Sequence, residues 1–306
     1  MDLLSDLALA RWSVDRAPQV RNDPLWLEQI WADPQTRVLL VDAGSVPVTD
    51  ELSVIWIEPD AVDLSYQVLQ DALVFLGQNE QHRYVALFGR KEYLGEAAWA
   101  SLKDVGAQLT PHDVGLATTG IALESWHRTH TFCPACGTLT HMSQAGWARE
   151  CPSDGTTHFP RTEPAVIAVV EDAQGRILLG RRLGWADSWY SVLAGFVEAG
   201  ESCETAVVRE IQEESGVLLD VASLRFLGSQ PWPFPASLMM GYSAKAVTTE
   251  IAPDETELSD VRWFSRVEFE HSCNQGTLRL PNATSIAWRL IEHWYGKPLP
   301  LHWSRA

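Results

Sequence analysis

The stretch Gly195-Phe196-Val197-Glu198-Ala199-Gly200-Glu201, followed by Arg209-Glu210-Ile211-Gln212-Glu213-Glu214-Ser215-Gly216-Val217, decides how the chain is read. Residues 202–214 have helical texture, with a serine at the start and a glycine just past the end. Ala206, Val207 and Ile211 supply an apolar stripe that docks such a helix. On it, Glu210, Glu213 and Glu214 fall at i, i+3 and i+4 and share one face. Like charges so close repel, and clustered hard oxygen ligands suit Mg²⁺ or Mn²⁺. Most charge runs are only solvated helix faces. Here Gly195 and Gly200 add a tight turn through which backbone can approach a phosphate.

Around this stretch the chain has ordinary globular composition, 46% hydrophobic and 21% charged, and its 306 residues suffice for two domains. The formal charge of −17 disfavours loose binding to nucleic acid backbones or anionic membranes. It leaves room for a small anionic substrate, because divalent metals reverse the local field. No apolar run reaches the length of a membrane span. The first ten residues carry Asp2 and Asp6 and no Lys or Arg, the wrong charge for a secretory signal, so a cytoplasmic location is expected. Five cysteines, of which Cys133, Cys136 and Cys151 cluster, do not make a disulfide framework. The 14 tryptophans read mainly as packing.

Three zones follow. Residues 1–127 form an α+β N-terminal domain, with strand-like runs at 37–41 and 85–88 and helices predicted over 93–107 and 111–129. Residues 128–160 make a short insert rich in Cys, Gly and Pro. Residues 161–306 open with a hairpin, 165–170 and 176–179 around Asp172-Ala173-Gln174-Gly175, and continue into the glutamate helix. Strands are expected around 225–229, 239–246 and 261–264, and a last helix over 285–295.

Glycine, five residues, glutamate, seven residues, Arg-Glu, an apolar residue, any residue, Glu-Glu, any residue, glycine, an apolar residue: this pattern is matched at every fixed position from Gly195 to Val217. The C-terminal zone thereby resembles the Nudix hydrolases. The resemblance implies an αβα sandwich with a mixed sheet. It also implies attack by a metal-activated water on one phosphorus of a nucleoside diphosphate linked to another group. Glu210, Glu213 and Glu214 take the metal-ligand positions, and Glu201 the position that orients Arg209. Glu257, six residues before Trp263, is the candidate for a further carboxylate acting as base or ligand; the plainer reading is a surface glutamate in an acidic loop with Asp254 and Glu255.

Downstream stands Ser229-Gln230-Pro231-Trp232-Pro233-Phe234-Pro235-Ala236-Ser237. Its prolines make a stiff loop whose rings have little freedom to lose on binding. The loop resembles the signature of the NADH pyrophosphatases, with Ala236 at a position where that family often has Gln. His158-Phe159-Pro160-Arg161 and Ser285-Ile286-Ala287 extend the likeness. It implies substrate contacts from Gln230, Trp232, Phe234 and Ser237. It also implies a base held by Phe196 and by Phe159 of a second subunit, hence a homodimer. The implied reaction converts NADH, and NAD⁺, to AMP and nicotinamide mononucleotide. NAD-capped RNA ends or other dinucleotides such as ADP-ribose are alternative substrates of the same cut, and a non-catalytic nucleotide sensor is the alternative of another class.

Cys133-Pro134-Ala135-Cys136-Gly137 resembles a zinc knuckle, and Cys151 follows. A second Cys-x-x-Cys would place cysteine at 154, where Asp154 stands. Aspartate can bind zinc, and His141 and His158 lie close in sequence. A structural Zn²⁺ on Cys133, Cys136, Cys151 and Asp154 is the expectation, making this segment a zinc-ribbon-like insert.

Overall fold

The computed structural model describes residues 3–304; Met1 and Asp2, which enter the charge reading of the N-terminus, lie outside them. The chain divides into two compact units. One comprises residues 3–10, Glu163–Pro231 and residues 237–304, and the other Arg11–Thr162 with Trp232–Ala236. No helix among the described residues is long and apolar enough to cross a membrane.

The first unit is built on Glu163–Glu171, whose residues 165–170 are all buried. Successive side chains of a strand point to opposite faces, and here both faces are covered. Ile167 and Val169 enter a core with Ile177, Leu179, Phe269 and the helix Ile286–Tyr295. Val166, Ala168 and Val170 enter a separate core with Leu178, Tyr242, Ala244 and Ala206, Val207 and Ile211 of the helix Cys203–Ser215. The alternation thus places a helix on each side of the sheet, which is the αβα sandwich expected. The sheet is mixed: Glu163–Glu171 runs parallel to Ser237–Ala246 and antiparallel to Leu193–Phe196, and Ile177–Arg182 runs antiparallel to Leu258–Phe264. The hairpin turn is held by Asp172, whose side chain accepts from the Gln174 and Arg176 N–H groups and pairs with the Arg176 guanidinium.

Arg266–Gln275 adds a helix opened by a capping box, in which Ser265 and Glu268 satisfy each other's backbone N–H. Phe269 on this helix packs edge-on against Trp294 and Trp303, so part of the tryptophan content is core, as read.

The second unit has a four-stranded sheet in the order Trp56–Ile57, Thr36–Val41, Arg83–Phe88, Leu73–Gln78, with one parallel pair. The helix Pro111–Thr129 lies on it, capped by Thr110, and Gly120 permits the approach: a Cβ there would stand 3.2 Å from Val41 Cγ2. The helix expected over 93–107 is not formed. Instead a 3-10 turn, Lys91–Leu94, ends near its start, Ala98–Ser101 pairs with Ser45–Val48, and only Leu102–Val105 turns α-helical, started by Ser101. Gly95, at φ 54°, breaks any helix before that point. A three-stranded sheet, His141–Ser143, Ala148–Glu150 and Thr157–His158, forms the cysteine insert.

Candidate active site and metal centre

Cys203–Ser215 starts where Ser202 accepts from the Thr205 N–H and stops at Gly216, φ 75°, in the left-handed conformation. Its acidic face is organised by Arg209. That guanidinium donates to both oxygens of Glu201, to Glu210 Oε1, to Glu213 Oε2 and to the Phe196 carbonyl, each at 2.9 Å. Those bonds, with the Glu198 N–H at 3.0 Å, hold the Glu201 carboxyl down at about 2.

Glu210 and Glu214 face inward from the same helix. A Cβ at Gly195 would stand 1.9 Å from Glu210 Cδ, so only glycine lets the strand Leu193–Phe196 and that carboxylate coexist. Burial pushes the Glu210 carboxyl up. Glu214 is 5% exposed. Burial first, then the charge of Glu210, pushes its carboxyl up to about 8, while the Ala194 N–H works the other way. Its Oε2 is buried with no hydrogen-bond partner. An orphaned buried carboxylate oxygen beside a second, partly buried carboxylate is what a cation would satisfy. The residues present therefore fit a hard divalent ion.

The set is not closed. Glu213 is turned to Arg209, and Glu257 is half exposed with Oε2 3.6 Å from Arg182 Nη2. Among the described residues, the glutamates are not drawn together into a group able to hold a metal ion as the cysteine group is. Repulsion among like charges accounts for this, with Arg209 drawing Glu213 aside. A cavity of about 130 Å³ beside Glu214 is lined by Arg182, Trp185, Ala194 and Ser285. Arg182 and Trp185 escaped the sequence reading. The Arg181-Arg182 pair ending a strand beside an acidic site was the available signal.

Phe196 is 55% exposed at the end of its strand and Phe159 is 60% exposed on the insert. In the proline loop, the Trp232 and Phe234 rings meet edge-on at 5.0 Å, and Lys103 Nζ stands 4.6 Å from the Phe234 ring. The Phe234–Pro235 peptide is cis. Ser237 opens the strand paired with Glu163. Gln230 lies elsewhere than expected. It is fully buried, donating to the Thr284 carbonyl at 2.9 Å and accepting from the Leu9 N–H, so it ties segments together in the interior and presents no amide to a substrate.

The ligand atoms of Cys133, Cys136, Cys151 and Asp154 lie within 4.8 Å of one another. Two matching turns bring them there. Gly137 donates to the Cys133 carbonyl at 2.8 Å and Gly155 to the Cys151 carbonyl at 2.9 Å, with φ of 73° and 71°. Asp154 thus occupies in the second turn the place of Cys136 in the first. Its carboxyl is held well below the usual range, first by the Thr156 N–H. Three soft sulfurs and one carboxylate suit zinc in a closed site. Neither His141 nor His158 joins the group.

Residues 161–288 match the NUDIX domain and residues 128–159 the NADH pyrophosphatase zinc ribbon domain. The NAD-capped RNA hydrolase NudC of Mycobacterium bovis is 35% identical over 300 residues, covering 94% of each chain. The NAD-capped RNA hydrolase NUDT12 of Homo sapiens is 31% identical over 332 residues, covering 92% of this chain and 71% of its own. A NUDIX hydrolase structure from Nitrosomonas europaea, 21% identical, covers 55% of this chain and 94% of that one with a TM-score of 0.43.

Proposed function

Because the chain belongs to the Nudix hydrolase family, in the branch that carries the NADH pyrophosphatase zinc ribbon, we propose that it hydrolyses the pyrophosphate of NADH and NAD⁺ to AMP and the matching nicotinamide mononucleotide. One observation carries the reading: Glu214, buried, with an unpartnered oxygen and the charge of partly buried Glu210 acting on it from the same helix. A sensing module would have no reason to keep such carboxylates.

Glu210, Glu213, Glu214 and Glu257 are the proposed ligands of Mg²⁺ or Mn²⁺. The cation, when bound, neutralises the diphosphate and lowers the pKa of a bound water. Arg209, fixed by Glu201, orients Glu210 and Glu213. Glu257, half exposed and only loosely paired, is the carboxylate able to accept a proton. Exposed Phe196 is the proposed platform for a base, with Trp232, Phe234, Ser237 and Phe159 as further substrate contacts, the last in a homodimer. Zinc on Cys133, Cys136, Cys151 and Asp154 has no open position, so its role is structural.

A second reading, removal of the NAD cap from RNA, is favoured by the names of the relatives aligned over nearly the whole chain. It breaks the same bond. The test is AMP release from NADH by the purified protein with Mg²⁺ or Mn²⁺. No release with either metal overturns the reading, and a Glu213→Gln variant with normal turnover removes Glu213 from the site.

A further inference from the structure

In a chain of net charge −17, residues 11–22 run the other way: Arg11, Arg16 and Arg21 stand against a single acid, Asp15. Two of these arginines interleave with tryptophans. Arg16 Cζ lies 5.1 Å from the ring centroid of Trp12 and 5.4 Å from that of Trp147. Arg21 Cζ lies 3.7 Å from the same Trp147 ring.

The inner rung is rigid. Trp147 Nε1 donates to the Phe75 carbonyl at 2.6 Å. It follows Gln144 and Ala145, both at positive φ (50° and 51°), a conformation L residues disfavour and keep only where the surroundings impose it. Gly146 is pressed on Val74, where a Cβ would stand 2.2 Å from Cγ1.

The guanidiniums of the ladder make no direct ion pair. Among the described residues no carboxylate lies within 4.0 Å of the Arg16 or Arg21 guanidinium; Arg21 donates to the Arg16 carbonyl, and Arg16 to Thr119 Oγ1. Burial, then the charge of Arg16, pushes Arg21 down to about 10, with the charge of Asp15 only partly opposing them. A bound anion would relieve that repulsion. The outer rung, Trp12, is 53% exposed and leaves a ring open to stack on.

We propose that the Trp12–Arg16–Trp147–Arg21 ladder docks single-stranded RNA, with phosphates on the guanidiniums and a base on Trp12. Alternating flat rings and planar cations match alternating bases and phosphates, and do so without reading sequence. A cavity of about 690 Å³ begins at Arg21, but Asp23, Asp71 and Glu150 line it and repel phosphate. The strand therefore runs on the Trp12 side. The inference rests on the reading that the NAD pyrophosphate is the bond cut, and selects RNA-borne NAD as a substrate beside the free dinucleotide.

The test uses the full chain, a fluorescein-labelled uncapped oligouridine, and anisotropy across a salt series beginning near about 50 mM. Wild type binds. Trp12→Ala and Arg16→Gln each weaken binding at least about fivefold, and Arg16→Gln lowers the salt slope by about 0.7. NADH turnover is unchanged in both, and hydrolysis of NAD-capped RNA falls relative to it. Arg16→Lys keeps charge, reach and slope but loses the planar stack, so it serves if Arg16→Gln melts early. Wild type without RNA binding, or Trp12→Ala and Arg16→Lys binding like wild type, overturns the proposal. RNA binding that depends on the ladder in a protein inert on NADH and capped RNA sinks the hydrolase reading and leaves the ladder standing.

Discussion

Arg209 grips Glu201 through two parallel hydrogen bonds, Nε to Oε1 and Nη2 to Oε2, each 2.9 Å. The same guanidinium carries Glu210 and Glu213, so a carboxylate outside the helix sets the posture of two within it. Lysine cannot reproduce this fork. Arg209→Lys is expected to lose roughly 10- to 100-fold in Mn²⁺ affinity and turnover with unchanged circular dichroism. Steady-state kinetics and a Mn²⁺ titration check it; a variant within twofold of wild type in both would leave Arg209 no positioning role.

Glu214 makes metal-free stability depend on pH. Its folded-state value, about 8, lies above the ordinary 4.5, so the native state keeps a proton that the unfolded chain has released. Stability in EDTA falls as pH rises through that window and levels off above it. Glu214→Gln removes the dependence, so the metal-free variant is the more stable protein at pH 8, while turnover drops by orders of magnitude. Urea unfolding at pH 5.5 and 8 measures this. Loss of stability in the variant at pH 8 would show that the carboxylate is not desolvated.

Gly195→Ala separates folding from ligation. The added Cβ collides with the end of a flexible side chain, the Glu210 carboxylate, which can swing away. Melting temperature should stay within a few degrees of wild type, while Mn²⁺ affinity falls at least about tenfold. A variant that binds Mn²⁺ normally would remove Glu210 from the ligand set.

For the insert, one zinc per chain is expected by metal analysis, lost or weakened in Asp154→Ala. Asp154→Cys should retain it more tightly, since the turn that presents residue 154 is the one that presents Cys136. In the Co²⁺-substituted protein the sulfur-to-metal absorption should grow with the fourth thiolate. Unchanged spectra would place Asp154 outside the coordination sphere.

The sandwich was legible because its signals are local. Periodicity in residues 165–170 and the spacing of Glu210, Glu213 and Glu214 survive folding unchanged, as does the Pro111–Thr129 helix with its Thr110 cap. Residues 93–107 misled because their partner, Ser45–Val48, is distant in sequence, and strand pairing overrode a weak helical pattern. Ser265 and Glu268 spell a capping box, a local signal that sets the start of the Arg266–Gln275 helix. Gln230 shows a different limit. A motif residue can be kept for the interior, and nothing in the letters Ser-Gln-Pro-Trp separates an amide facing a ligand from one bonded to Thr284 and Leu9.

Glu163–Glu171 divides two interiors that share no residue, one claiming Ile167 and Val169, the other Val166, Ala168 and Val170. Exchange of one apolar side chain for another there disturbs a single interior. Loss or gain of one amino acid exchanges the two sets and spoils both. Length variation among descendants of this chain should therefore collect in the Asp172–Gly175 turn and be missing between Ala165 and Val170, a constraint on insertions and deletions that substitution tolerance would never reveal.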